Sequence, residues 1–319
     1  MTSSASATHI VQSCKLKQYK TIEEWKKLVT SLQPDPSNLS FYCSLLTASN
    51  QTFPEADFYF FTFTTSNGIN MWIVVRDNHF VRPFMFLSGD AQLFTNLSLE
   101  VEREFDEIFD HTLQHFPFLY AKPDQTCLLF CADPIAQLYV KWAARSMCNV
   151  GLEQSFGRIF YMDKCAANLD SLDKIEPPPG YFFDDVDLEK DLDIITSTYI
   201  HTELGPRDQF KAKLKHLPYS LLRESKSNKL VSFELLDPSG FLNHQYTLPE
   251  FRNRGLGSLV ERDMCKKCLR LGILPHKCIE MYNVDLLKAC SKSTFWKKWV
   301  DGQGQDIAFT FIQHKLVEK

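Results

Sequence analysis

The run from Arg252 to Gly257 reads Arg, Asn, Arg, Gly, Leu, Gly, and it is the part of the chain best equipped to hold an anion. Arg252 and Arg254 supply charge on either side of Asn253, while Gly255 and Gly257, around Leu256, let a ligand come close to bare backbone. The run follows 242–248, whose aromatic and β-branched residues suit a strand that Pro249 then ends. It precedes Leu256, Val260, Met264, Cys268 and Leu271, spaced as one apolar stripe on a helix of about four turns. The first N–H groups of a helix have no partner inside it and lie at the positive end of its dipole. A strand, a basic glycine turn and a helix start therefore predict a phosphate site.

Proton chemistry has to come from side chains nearby. On the incoming strand, Asn243 and Gln245 share one face by two-residue alternation and could order a water as relay, while His244 faces the other way. Glu234 and Glu280 offer carboxylates on neighbouring strands, though each also reads as a solvated or hydrogen-bonded sheet residue. Cys290 could donate a proton at an ordinary pKa of ~8.5, or simply pack, as buried cysteines do. The spacing of Cys265, Cys268, His276 and Cys278 invites a zinc reading. The first two thiols fall inside the predicted helix and the other two residues on a strand beyond Pro275, so no metal is expected.

These groups need a scaffold, and the apolar periodicity supplies one. A helix is predicted over 21–32 behind Thr21 as cap, then strands at 41–47, 57–65, 70–75 and 82–87 as an antiparallel meander with a hairpin turn at Ser66, Asn67 and Gly68. A longer helix over 98–116 turns Leu99, Phe105, Phe109 and Leu113 inward, and 126–131, 133–147 and 157–162 read as strand, helix and strand. The pattern lapses before Tyr181 in the run Pro177, Pro178, Pro179, Gly180, which marks a connector. Helices follow at 188–199 and 206–217, the second with Lys211, Lys213 and Lys215 on its wet side. Strands at 220–223, 229–236 and 242–248 lead into the glycine helix, and 276–282, 284–290 and 307–314 complete the set as strand, helix and strand.

The layout is thus α+β: a flexible tail over 1–20, an N-terminal domain over 21–163, a connector over 164–180 and a C-terminal domain over 181–319. A length of 319 residues suits two cores. The net charge of −4, with the two signs interspersed, gives no footprint for nucleic acid or an anionic membrane. No apolar run approaches the ~18 to 20 residues of a spanning helix. Ten scattered cysteines without a secretory segment point to reduced thiols in the cytoplasm or a mitochondrion, the first 22 residues fitting a transit peptide only in part.

The residues from Leu248 to Gly257 resemble motif A of the GNAT acyltransferases, the (Gln/Arg)-x-x-Gly-x-(Gly/Ala) loop that receives the CoA pyrophosphate after the fourth strand. Within that superfamily the wording Thr247, Leu248, Pro249, Glu250, Phe251, Arg252 is similar to the glycine N-acyltransferase family. Arg158 to Met162 in the first half also resembles that family's chain. The resemblance implies two tandem GNAT-like halves, the first degenerate, each a mixed, largely antiparallel sheet flanked by helices, with the second half carrying the acyl-CoA site. It implies an N-acyltransferase that moves an acyl group from acyl-CoA to glycine or another small amine acceptor by direct attack on the thioester. The partners are acyl-CoA and that amine, with no nucleic acid, membrane or metal, in a monomeric protein.

By the same resemblance the backbone of Tyr246, Thr247 and Leu248 pairs with pantetheine, the Leu248 N–H polarises the thioester carbonyl, and 252–257 holds the pyrophosphate. Asn283 contacts the CoA arm, and Cys290 falls where a tyrosine often protonates the leaving thiolate. Ungapped matching back from Thr247 puts Phe241 where glycine N-acyltransferases carry a glutamate proposed as base. Phenylalanine takes no proton, so the general base stays open, and a CoA-binding protein with weakened catalysis and a sensing or interaction role is the alternative.

Overall fold

The computed structural model describes residues 16–94, 96–119, 126–147, 150–162, 172, 174–201 and 206–316. Most of the expected tail and much of the expected connector lie outside these residues.

The first half of the chain runs β1 (Lys17–Tyr19), α1 (Ile22–Ser31), α2 (Leu39–Ser49), β2 (Ala56–Thr64), β3 (Asn70–Asn78), β4 (Phe84–Gly89), α3 (Leu99–His115), β5 (Leu128–Ala132), α4 (Asp133–Ser146) and β6 (Val150–Met162). Local chemistry explains most of these boundaries. Thr21 and Glu24 form a reciprocal capping box at the start of α1. The β2–β3 hairpin closes through Thr65 and Ile69, with Gly68 at φ 87° where a side chain would be strained.

The second half adds β7 (Tyr181–Phe183), α5 (Leu192–Ser197), α6 (Arg207–His216), β8 (Tyr219–Glu224), β9 (Leu230–Leu236), β10 (Leu242–Thr247), α7 (Leu256–Arg270), β11 (His276–Glu280), α8 (Val284–Lys292), β12 (Trp296–Lys298) and β13 (Ala308–Leu316). Two sheets result. The larger has nine strands in the order β1-β2-β3-β4-β5-β13-β6-β11, with β12 also on β6; the smaller is β10-β9-β8-β7. Pairing is antiparallel throughout except between β4 and β5.

The sheets therefore do not divide the chain as its sequence order does. Strand β13 lies between β5 and β6 of the first half, pairing Phe309 with Ala132 on one side and Gly157 on the other. Strand β11 continues the same sheet beyond β6. Helices α3 and α4 cover one face over a core that includes Phe105, Phe109, Tyr139 and Trp142. The other face carries α1 and α2 over Phe60, Val74, Phe84 and Phe86, and Phe241 of the second half packs against this same group.

A buried ion cluster ties the halves together. Arg76 of β3 reaches Asp237 at 2.7 Å, and Lys213 of α6 reaches the same carboxylate at 3.1 Å. The Arg76 guanidinium lies 4.7 Å from the Phe84 ring centre. The two cations hold the Asp237 carboxyl well below its ordinary value although burial alone would raise it.

Four expectations are corrected. The segment 41–47 is helical within α2, where nine of eleven residues are buried, so no amphipathic period exists to separate helix from strand. Leu99 is 74% exposed, because the buried stripe of α3 is Val101, Phe105, Ile108, Phe109 and Thr112. Lys213 is buried, not wet. Residues 211 and 213 differ by two positions, roughly 200° around a helix, and so take opposite sides. Leu271, at the end of the α7 stripe, is exposed because the helix has already stopped.

Candidate functional site

The site begins where β10 parts from β11. These strands touch through the Phe241–His276 bridge and then belong to different sheets. Strand β10 also carries a bulge, since Asn243 pairs with Leu235 but Tyr246 pairs with Phe233. His244 takes up the extra residue at φ 52°, a value uncommon for a residue with a side chain. The splay and the bulge open a cavity of about 510 Å³ between the sheets.

The strand end and the loop after it are braced from several sides. Gln245 donates to the Gly257 carbonyl at 3.0 Å, and Thr247 Oγ1 lies 2.8 Å from Ser232 Oγ. A Cβ on Gly257 would sit 3.3 Å from Thr247 Oγ1, which fixes how closely α7 seats on the strand. Arg252 Nε donates to the Thr247 carbonyl at 2.9 Å, and its guanidinium lies 5.1 Å from the Tyr246 ring centre. Arg254 bonds the Tyr181 hydroxyl at 2.8 Å and the Glu250 carbonyl at 2.9 Å.

Asn253 and Gly255 both have positive φ, 61° and 76°. A Cβ at Gly255 would meet nothing within 4 Å, so this backbone faces open space. Leu256 opens α7 with no side-chain cap and no acidic residue in the first turn. Its orphan N–H groups and two anchored guanidiniums are suited to an anion such as a phosphate. Asn283, at the start of α8, lines the cavity.

Leu248 departs from expectation. Its N–H donates to the Val231 carbonyl at 2.9 Å, so it is turned toward β9 and away from the cleft. Alternation along an antiparallel ladder gives the open edge to the Thr247 N–H instead.

The side chains proposed for proton chemistry are dispersed. Asn243 lines the cavity with its Oδ1 buried and unpartnered, whereas Gln245 is engaged with Gly257. His244 also lines the cavity, with Nε2 3.2 Å from Thr198 Oγ1 and Nδ1 buried and unpartnered, and burial depresses its pKa to about 3, leaving a neutral imidazole. Phe241 packs 4.6 Å from the His276 ring and 6.0 Å from the Phe309 ring. Cys290 is buried behind Lys277 and off the cavity wall; burial raises its pKa and Lys277 opposes the shift.

Both candidate carboxylates reach the cavity. Glu234 is 2% exposed with its Oε2 unpartnered. Burial pushes its pKa well above the ordinary value, Glu261 adds to the shift and Lys277 opposes it. Lys277 is itself ion-paired with Glu261 and lies 4.3 Å from the Trp296 ring centre. Glu280 lies near the mouth, 3.1 Å from His201 and bonded by the Tyr282 hydroxyl; these bonds pull its pKa down against burial.

Lys213, expected on the wet side of its helix, lines the cavity, as do His201, Glu261, Lys277, Arg82 and Gln209, none of which was singled out from the sequence. Only Lys277 carried a local signal, a cation inside a short strand that is otherwise buried. Among the described residues, Cys265, Cys268, His276 and Cys278 form no cluster able to hold a metal ion. Within the same residues no helix is long and apolar enough to cross a membrane.

The mixed α+β architecture, two sheets flanked by helices, is similar in fold to a solved tandem GNAT protein. Two solved structures illustrate the likeness. A Drosophila protein aligns with a TM-score of 0.59 at 13% identity, covering 95% of this chain and 98% of its own. A tandem GNAT protein from the clavulanic acid biosynthesis pathway aligns with a TM-score of 0.51 at 10% identity, covering 95% and 100%. At these identities the likeness is one of fold. No protein-family model matches the chain, and no curated protein sequence matches it.

Proposed function

We propose that the protein is an acyl-CoA-dependent N-acyltransferase of the glycine N-acyltransferase type, acting on glycine or another small amino acid. The observation that carries this reading is the departure of β10 from β11 at a bulge whose strand runs directly into an open, basic glycine turn. That arrangement offers an extended backbone edge for a pantetheine arm and a helix start for its pyrophosphate, with a cavity between them for the reacting groups.

In this reading Tyr246 and Thr247 form the edge, and 252–257 with Asn283 hold the CoA. The acceptor amine attacks the thioester carbonyl, forming the C–N bond and breaking the C–S bond. The amine proton passes to Glu234 when that carboxyl is ionised, and the departing thiolate takes a proton from water. A base whose pKa is raised above the ordinary carboxylate range suits proton transfer near neutral pH. Asn243 holds a water between amine and carboxylate.

Phe241 favours the second reading, a CoA-binding protein with weakened catalysis, because a packed aromatic occupies the position where the resemblance wants a base. A thiol-release assay with acetyl-CoA or benzoyl-CoA and a panel of amino acids separates the two. Release dependent on one acceptor is the expected outcome. Tight CoA binding with no release above background for any acceptor would transfer the assignment to the binding protein.

A further inference from the structure

The cavity is lined by polar groups that the acyl-transfer reading leaves without work. Arg82, between β3 and β4, is only 8% exposed and lines the cavity. Among the described residues no carboxylate lies within ion-pair distance of its guanidinium. Gln209 of α6 lines the same cavity at 2% exposure with its side-chain Oε1 unpartnered. Its amide can turn to present N–H groups instead. Lys213, one turn further along α6, shares the single Asp237 carboxylate with Arg76.

Asp237 is thus divided between two cations, Arg76 and Lys213, and Arg82 has no carboxylate of its own among the described residues. Buried cations are costly unless an anion meets them, and an orphaned buried amide is costly as well. The CoA phosphates do not fill this need in the reading above, because they go to the turn at 252–257, which does not contribute to the cavity wall.

We propose that Arg82, Lys213 and Gln209 form a subsite for the carboxylate of the acceptor, which places its amine toward the bulge at Asn243 and His244. The subsite draws residues from both halves, so the first half contributes to acceptor selection. It selects α-amino acids over amines that lack the acid group. This inference rests on reading the cavity as an acyltransferase cleft.

The test compares an amino acid with its amide. On the native protein the acid is the better acceptor, and Arg82→Gln raises its KM about ten- to hundredfold, the cost of one charge-assisted hydrogen bond. The amide's KM and the affinity for CoA stay unchanged. Equal use of acid and amide by the native protein, or an unchanged acid-to-amide ratio in a folded Arg82→Gln variant, overturns the proposal. A parallel series with succinyl-CoA and butyryl-CoA shows whether the carboxylate belongs to the acyl group. An Arg82→Gln effect confined to succinyl-CoA also overturns the acceptor assignment.

If no acceptor is acylated, calorimetry of the native protein with CoA and either an N-acetyl amino acid or its amide still decides. Preference for the acid, lost in Arg82→Gln, supports the subsite although the transferase reading has failed. Equal binding of both rejects it.

Discussion

Gly255 and Glu234 are where single side chains bear most directly on the chemistry. Gly255 holds φ 76° with open space around it, so its backbone can approach a phosphate that any side chain would keep away. Gly255→Asp inserts bulk and a like charge there; the expected outcome is a weakening of CoA affinity by at least tenfold, measured by calorimetry, with the far-ultraviolet spectrum unchanged. Glu234 is buried and its pKa is raised, so the transfer rate rises with pH through a value above the usual carboxylate range. Glu234→Gln should lower kcat by about 10²- to 10⁴-fold and abolish that limb of the pH–rate profile while leaving CoA affinity intact. The glycine turn was legible because glycine and arginine have few reasons to alternate between a strand and a helix. The carboxylate was only one of two candidates, since β9 is buried at every position and nothing in its residue pattern says which neighbour lies beyond Glu234.

Among the elements, β10, α7 and β13 decide the geometry of the cleft. Leu256, Val260, Met264 and Cys268 seat α7 at a four-residue repeat, and these four members of the predicted stripe are buried, whereas the fifth, Leu271, is exposed beyond the helix end. The bulge at His244 was not legible, because a bulge follows from how two strands pair and neither strand encodes it alone. Strand β13 was recognisable as a strand, but its place between β5 and β6 follows from long-range pairing that local periodicity does not report. Ile312 on β13 is fully buried against Leu129. Ile312→Ala should destabilise the protein by about 2 to 5 kcal/mol, measured by urea denaturation. Because β6 also pairs with β11, the loss should be accompanied by weaker CoA binding, which a fold divided into two independent sheets would not show.

At the scale of the whole molecule, acid stability follows from three histidines held neutral. Burial pushes His276 and His314 down to about 4 and His244 to about 3, from an ordinary 6.5. In the window between the folded and ordinary values the unfolded chain binds protons that the native protein does not. Stability is therefore fully present above pH 6.5 and is lost as pH falls toward 4, by up to roughly 1.4 kcal/mol per pH unit for each histidine. Thermal melts between pH 7.5 and 4.5 should show a falling Tm, and His276→Gln should flatten the fall. A Tm independent of pH over that range would contradict the burial of all three. The Arg76, Asp237 and Lys213 cluster acts in the same direction only at lower pH, because its carboxyl titrates below its ordinary range.

The position of β13 also sets an order on synthesis. Its partners β5 and β6 leave the ribosome roughly 150 residues before it does, which at 5 to 20 residues per second is a delay of about 10 to 30 s. Throughout that interval β5 has one unpaired edge and β6 two, since every partner of β6 lies in the second half, and such edges recruit other chains. A fragment that stops short of residue 308 is therefore expected to be insoluble, as a sedimentation assay of the expressed fragment would show.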